Sequence, residues 1–199
     1  NKMNIYFGLA AGSYSVQQTD ILFSETLENR LIGLLLCRVQ RTDIRCLQHT
    51  FIQTPYFLPT EGLNSLLQTA ALGGIDVQLM LPERSDSRII DKAVHSFIDD
   101  MLRAGVKVYF YTKGFLHAKM LIVDDLLTVV GSANMDFRSF EHNFEVNAFI
   151  YDTETALQMR EIFLQDQREC VQVFLKNWVK RPWWRKAAES VVRLMAPLL

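Results

Sequence analysis

The sequence predicts an α/β layered fold, and three observations carry that prediction. From Pro55 onward, stretches with apolar residues every three or four positions alternate with short runs that are continuously apolar or alternate apolar with polar. Glycine or proline marks most of the junctions between them, as at Gly73-Gly74, Pro82, Gly105 and Gly131. The chain has 199 residues, 49% of them hydrophobic, which suits one domain with a sizeable core.

Up to residue 50 the pattern is weak. Asn4 to Ala11 fits a strand, Glu25 to Arg38 scatters leucines at helical spacing, and a strand begins within Cys46 to Thr54. Beyond Pro55 the elements are orderly. Thr60 caps a helix that starts near Glu61, places Leu63, Leu66, Leu67 and Ala70 or Ala71 on one face, and stops at Gly73-Gly74. Ile75 to Leu81 alternates and reads as a strand closed by Pro82. Ser85 or Ser87 opens a second helix in which Ile90, Val94, Phe97, Ile98, Met101 and Leu102 recur at helical spacing up to Gly105. Val106 to Tyr111 is the next strand, and Glu145 to Ile150 a later one. Asp152 or Thr153 then caps a long helix toward Phe174, with Ala156, Met159, Ile162 and Phe163 as its buried stripe.

The chemistry gathers between Phe115 and Asn147. His117 and Lys119 are two apart, so on an extended strand both side chains leave the same face. Met120 to Val123 and Leu126 to Val130 are apolar runs flanking Asp124-Asp125, which predicts two adjoining strands with a turn at the aspartates. The second run leads into Gly131-Ser132-Ala133-Asn134. An imidazole, an ammonium, a hydroxyl and a carboxamide at such a junction suit a phosphate: lysine supplies charge, and Ser132 and Asn134 supply neutral donors.

The pattern His-x-Lys-x-x-x-x-Asp followed by Gly-Ser-x-Asn resembles the signature of the phospholipase D superfamily. Thr54-Pro55-Tyr56-Phe57, Gly114 to Lys119, Ser132 to Asp136 and Asn143 to Asn147 are similar to the C-terminal catalytic half of bacterial cardiolipin synthase, and the likeness runs from about Ile52 onward. Met120, where threonine is common in that family, and His142, where an apolar residue is expected, are mild departures.

The resemblance implies an α-β-α layered sandwich with a mixed central sheet. It also implies a covalent phosphohistidine intermediate, in which one imidazole attacks phosphorus and the imidazole of a second motif protonates the departing alcohol. His117 would be one of these two, with Lys119 and Asp124 completing the catalytic motif and Glu145 orienting the catalytic imidazole; within that motif Asp124 is expected to orient strands or pair a basic group rather than touch substrate. Lys119, Ser132 and Asn134 would hold the phosphate, and the reaction needs no metal or organic cofactor. The substrate implied is phosphatidylglycerol, with other anionic phospholipids as partners. The alternatives are a homodimeric phosphodiesterase or nuclease of the same superfamily and an inactive lipid-binding remnant.

Composition narrows these choices. A formal net charge of −1 gives no global attraction to nucleic acid, so no nucleic-acid partner is expected. Cys37, Cys46 and Cys170 are odd in number and lack ligand spacing, which argues for reduced thiols in the cytoplasm and against a zinc site. His49, His95 and His142 are expected in ordinary surface or partly buried roles. No apolar run approaches the ~20 residues that span a bilayer, and the N-terminus lacks the order of a secretory signal. Whole cardiolipin synthases are expected to carry membrane-spanning helices and two His-x-Lys motifs. One motif here reads as half an enzyme, needing a second motif-bearing half or a homodimeric partner, and peripheral on the cytoplasmic face of the bacterial membrane.

The organisation expected is therefore a poorly matching segment 1–50, a catalytic domain 51–176 and a tail 177–199. In the tail, Pro182 fits the first turn of a helix to about Ala196, whose Ala188, Val191, Val192 and Met195 share a face. Lys180, Arg181, Arg185 and Lys186 cluster with Trp178, Trp183 and Trp184. That mixture suits the headgroup boundary of a membrane, and it equally suits a helix packed on its own domain with tryptophans in the core.

Overall fold

The structure, a computed structural model, describes residues 18–23 as backbone and residues 48–195 in full. The expected strand Asn4 to Ala11 and helix Glu25 to Arg38 lie outside the described residues, as do Cys37 and Cys46.

Among the described residues ten strands and six helices follow in order: β1 (Gln18–Phe23), β2 (His49–Gln53), β3 (Phe57–Leu58), α1 (Glu61–Leu72), β4 (Asp76–Pro82), α2 (Arg88–Ala104), β5 (Lys107–Tyr111), β6 (Met120–Val123), β7 (Leu127–Gly131), β8 (Met135–Asp136), α3 (Phe137–Glu141), β9 (Val146–Tyr151), α4 (Thr153–Gln167), β10 (Cys170–Val173), α5 (Leu175–Trp178) and α6 (Trp183–Arg193). Eight strands form one mixed sheet in the order β1-β9-β7-β6-β2-β4-β5-β10, and β3 pairs with β8 alone. The helical crossovers through α1 and α2 make β2, β4 and β5 parallel, while the three-residue link 124–126 makes β6 and β7 antiparallel.

Strand alternation divides the core between the two faces of the sheet. Ile52, Leu79, Leu81, Leu121 and Val123 join the α1 and α2 stripes in one cluster, whereas Phe51, Met80, Met120 and Ile122 meet Phe163 and Ala156 of α4 in another. The chain is thus an α-β-α sandwich.

The caps follow the sequence closely. Thr60 Oγ1 accepts from the Leu63 amide at 3.2 Å, and Asp152 Oδ2 accepts from the Thr155 amide at 2.8 Å. Gly105 ends α2 with φ of 96°, a conformation that favours glycine. In the hairpin turn Asp124 at φ 52° and Asp125 at 53° are both left-handed, and the turn is closed by the Leu126 amide donating to the Val123 carbonyl at 3.1 Å.

Two elements differ from expectation. The helix from Asp152 stops at Gln167 rather than near Phe174, and Cys170–Val173 becomes an edge strand against β5. The Glu169 carbonyl accepts from both the amide and the hydroxyl of Thr112, at 3.1 and 2.8 Å, which turns the chain out of the helix and onto the sheet. Strand β1, paired along its length with β9, carries no strong sequence signal of its own.

The C-terminal segment packs on α2. Trp178 is buried, with its ring at right angles to His95, and so belongs to the core rather than to a lipid-facing cluster. The Arg181 guanidinium stacks 3.5 Å from the Trp178 ring centroid and donates to Glu189 Oε1 at 2.7 Å. Arg193 reaches Asp100 Oδ2 at 2.8 Å and the Ser96 carbonyl at 3.2 Å. Among the described residues no helix is long and apolar enough to cross a membrane.

Candidate active site

The sheet register brings the functional residues to one edge. Gln53, Met120, Val130 and Ala148 stand side by side across β2, β6, β7 and β9. Lys119 precedes Met120, Gly131 follows Val130, and Asn147 pairs with Gly131, so the groups flanking this row converge at the same end. The β3–β8 pair adds a second tie: Phe57 aligns with Met135 and Leu58 with Asp136, and the Met135 amide donates to Thr54 Oγ1 at 3.2 Å.

His117 is exposed at the rim, and Lys119 lies beside it, partly buried. The ammonium donates to the His117 carbonyl at 3.0 Å and sits 3.4 Å from Nδ1 and 3.3 Å from Nε2. The in-plane bonding directions of the two ring nitrogens diverge, and a neutral imidazole carries an accepting lone pair on one of them alone, so an ammonium nearly equidistant from both is a contact and not a directed bond to either. The imidazole thus keeps its bonding capacity for a ligand. Burial holds the Lys119 ammonium below the ordinary lysine range, and the Glu145 and Asp136 carboxylates counter that shift.

Glu145 is the hub of the polar loop. It accepts from the Ser132 hydroxyl in a short bond, from Ser139 Oγ at 3.4 Å and from Asn143 Nδ2 at 3.3 Å. The Ser132 hydroxyl in turn accepts from the Val146 amide at 3.0 Å. Two points in this geometry depart from what the family likeness implies. Glu145 holds the loop rather than the His117 ring, and Ser132 gives its proton to Glu145 while its own amide donates to the Val146 carbonyl at 3.0 Å. The Asn134 amide donates to Ser139 Oγ at 3.1 Å, while its buried Oδ1 has no partner among the described residues.

Asn147, which sequence reasoning did not single out as functional, is buried and lines the same small hollow as Lys119, Gln53 and Thr54, with its Nδ2 unpartnered among the described residues. Its position two residues past Glu145, on the strand facing Gly131, was the available signal. Tyr56 was also missed as a site neighbour. Its hydroxyl donates to Asp86 Oδ2 at 2.9 Å, and desolvation together with that carboxylate pushes its pKa up to about 12, so it remains a donor. Phe115 lies between Tyr56 and His117, with ring centroids 6.3 and 5.5 Å away.

Asp124 is not brought to this edge. It occupies the hairpin turn at the opposite end of β6, where its Oδ1 accepts from the amides of Gln48 at 2.8 Å and His49 at 3.2 Å. Its neighbour Asp125 binds His49 Nε2 at 2.9 Å and forms a short ion pair with Arg160. These contacts fasten β2 and α4 to the turn. His142 stacks edge-on to Phe137, and His95 lies between Phe110 and Trp178. Among the described residues no cluster of three or more His, Cys, Asp or Glu is placed to hold a metal ion.

The arrangement presents one exposed imidazole, one cation and a carboxylate-braced polar loop, a combination suited to gripping and attacking a phosphoester. Comparison with known proteins agrees with that chemistry. Residues 44–167 match the family model described as cardiolipin synthase, PLD-like domain. A cardiolipin synthase of Clostridium perfringens is 44% identical over 152 residues, 76% of this chain and 32% of that protein. One from Geobacillus kaustophilus is 46% identical over 149 residues, covering 75% of this chain and 30% of that protein. The chain therefore spans about a third of the length of these curated relatives.

Among solved structures, phosphatidylserine synthase of Haemophilus influenzae superposes with a TM-score of 0.67 at 17% identity, covering 91% of this chain and 48% of that one. The phospholipase D family member Nuc of Salmonella typhimurium gives 0.62 at 17% identity, covering 79% and 99%. At such identities these two likenesses bear on the fold alone. The family match over more than half of the chain, together with the sheet edge that gathers its motif, assigns the chain to the phospholipase D-like domain family of cardiolipin synthases.

Proposed function

We propose that this chain is the C-terminal catalytic half of a phosphatidyltransferase that moves a phosphatidyl group from one phosphatidylglycerol to the hydroxyl of another, giving cardiolipin and glycerol. The observation that carries the proposal is the pairing of exposed His117 with Lys119, whose ammonium lies 3.3 Å from Nε2 at an open sheet edge.

In the first step an imidazole nitrogen forms a bond to phosphorus, the phosphorus–oxygen bond to glycerol breaks, and a second imidazole delivers the proton to the departing oxygen. In the second step that imidazole takes the proton from the incoming hydroxyl, whose oxygen bonds phosphorus as the phosphorus–nitrogen bond breaks. His117 is one of these two imidazoles, and the likeness to a C-terminal motif favours the proton-transfer role. Lys119 neutralises the non-bridging oxygens, and Glu145 braces the Ser132 loop beside them.

The second imidazole comes from another motif-bearing half or from a second copy of the chain. Phe144 and Val146 support a covered face here: they flank Glu145, and Phe144 is 103% exposed, a poor arrangement for a face left in water. The substrates sit in a bilayer, so the chain works as a peripheral protein on the cytoplasmic face of the membrane and meets anionic phospholipid through residues 177–199.

Incubation with phosphatidylglycerol vesicles tests the reaction. Cardiolipin and free glycerol should appear in equal amounts, either from the chain alone or after the missing half is added, and His117→Ala should abolish both. If pairing of copies forms the site, activity should fall steeply on dilution and sedimentation should show a dimer. Cleavage of DNA without lipid turnover would replace the proposal with a phosphodiesterase of the same fold. Inertness in the presence of the other half would leave a lipid-binding remnant.

A further inference from the structure

We propose that α6 seats the domain on an anionic lipid surface while remaining docked, because it is held by its polar side and turns its apolar side outward. This deepens the lipid reading above and rests on it for the nature of the surface. At 100° per residue, Trp183, Trp184, Ala187, Val191, Leu194 and Met195 fall on one continuous arc of the helix, and Arg185, Lys186, Glu189 and Arg193 on the other. A surface helix ordinarily buries the apolar arc. Here Glu189 is 6% exposed, whereas Trp183 is 79% and Leu194 82% exposed.

The inversion is fixed by directed bonds. Arg181 binds Glu189 at 2.7 Å, the Lys186 ammonium donates to the Val179 carbonyl at 2.7 Å, and Arg193 binds Asp100 at 2.8 Å with its guanidinium 4.3 Å from the Phe97 ring centroid. Of the apolar residues in the helix, Val192 packs against the core. The outward arc is therefore a settled surface of the fold and not a consequence of a loose tail.

Charge selects the occupant. Between positions 176 and 195 there are six basic residues and one acidic residue, in a chain whose net charge is −1. Lys176, Lys180 and Arg185 are exposed around the tryptophan end. Exposed aromatics bordered by cations fit the headgroup layer of an anionic bilayer, where the rings sit at the interface and the cations meet phosphate.

The direction of the helix is informative too. Glu189 lies against His95, and Arg193 against Ser96 and Asp100, so α6 runs parallel to α2. The start of α2 is tied to the active-site edge, since Asp86 just before it binds Tyr56. The Trp183-Trp184 end therefore lies toward the edge that carries His117, and seating by this face brings that edge to the headgroups.

Vesicle binding by the full chain tests this, read by co-sedimentation and by quenching of tryptophan fluorescence with brominated lipid. Binding to phosphatidylglycerol vesicles should exceed binding to phosphatidylcholine vesicles. Trp183→Ser combined with Leu194→Ser should weaken it by at least ~10-fold with an unchanged melting temperature, since both side chains are exposed. Arg185→Glu should reduce the preference for phosphatidylglycerol. Glu189→Gln, which loosens the clamp, should not strengthen binding.

Undiminished binding by the double variant would overturn the proposal. So would tighter binding by Glu189→Gln, which would mean that the helix must detach to insert, and so would lipid-independent self-association lost in the double variant. Vesicle binding that depends on these residues without phosphatidyl transfer would overturn the enzymatic reading and keep this one. Transfer on dispersed short-chain lipid by a chain that ignores vesicles would do the reverse.

Discussion

Gly131 stands opposite Asn147 in the β7–β9 ladder, and the Asn147 side chain with the Val146 carbonyl fills the space that a Cβ at position 131 would need. Backbone on one side and a buried carboxamide on the other leave little room to give. Gly131→Ala is expected to cost roughly 1–3 kcal/mol and to push Asn147 out of the hollow beside Lys119. Urea unfolding measures the first effect and titration with inorganic phosphate the second. An alanine accepted with a loss under ~0.5 kcal/mol would mean that Asn147 moves freely.

Lys119 should set the alkaline limit of anion binding. Its ammonium is held below the ordinary lysine range by burial, so it loses its proton, and with it the charge, at a lower pH than an exposed lysine does. Phosphate affinity is expected to decline before that ordinary range is reached. Lys119→Arg should move the decline to higher pH, and Lys119→Ala should weaken binding ~10–100-fold at neutral pH.

His95 should make the fold sensitive to acid. Burial first, then the positive field of Arg181, lowers its pKa from 6.5 to about 4, with Asp91 opposing and Arg185 adding to the effect. The folded value lies below the unfolded one, so stability is complete above about 6.5 and is lost as pH falls from there toward 4. The full loss amounts to at most roughly 3 kcal/mol, an upper bound because the side chain is 30% exposed. Glu189, 3.9 Å from His95, is itself shifted upward by burial, and a raised carboxyl works in the opposite sense, favouring the fold as pH falls. Urea midpoints measured across this range should therefore fall less steeply in His95→Phe than in the unaltered chain, and equal slopes would show that His95 is not the source of the acid sensitivity.

Asp124 should behave as a fastener of the hairpin. Asp124→Ala removes the acceptor of the Gln48 and His49 amides and leaves a non-glycine residue at positive φ. A loss of about 1–2 kcal/mol is expected in unfolding experiments. Phosphate affinity below the unfolding transition should stay within ~3-fold of the unaltered chain, whereas Lys119→Ala should not. A loss of affinity in the folded Asp124 variant matching that of Lys119→Ala would place its carboxylate in the chemistry after all.

Much of this was legible because it is local. His117 and Lys119 lead into one strand and the Gly131-Ser132-Ala133-Asn134 loop leaves its neighbour, the two strands being joined by a short turn, so their spacing along the chain nearly fixes their spacing in the fold. For Asp124 the spacing points away from the site: five strand steps from Lys119 span ~16 Å, which carries it to the opposite edge, where it fastens strands. Asn147 and Tyr56 reach the site through pairings with distant segments, which no local pattern reports. For α6 the amphipathic period was visible, but periodicity does not say which arc faces inward. That choice was made by ion pairs to Asp100 and Glu189, two carboxylates whose partners are set by tertiary packing. Strand β10 was hidden because four residues of an edge strand carry too little pattern to interrupt a helical reading.

The short β3–β8 ladder has a consequence for recombination between relatives. Thr54 and Phe57 lean directly on Met135, so the segment around Tyr56 and the one around Asn134 form a single lock although about 80 positions separate them in sequence. A chimera that imports one of these words from a distant homologue should misfit at that seam, and importing both together should restore it.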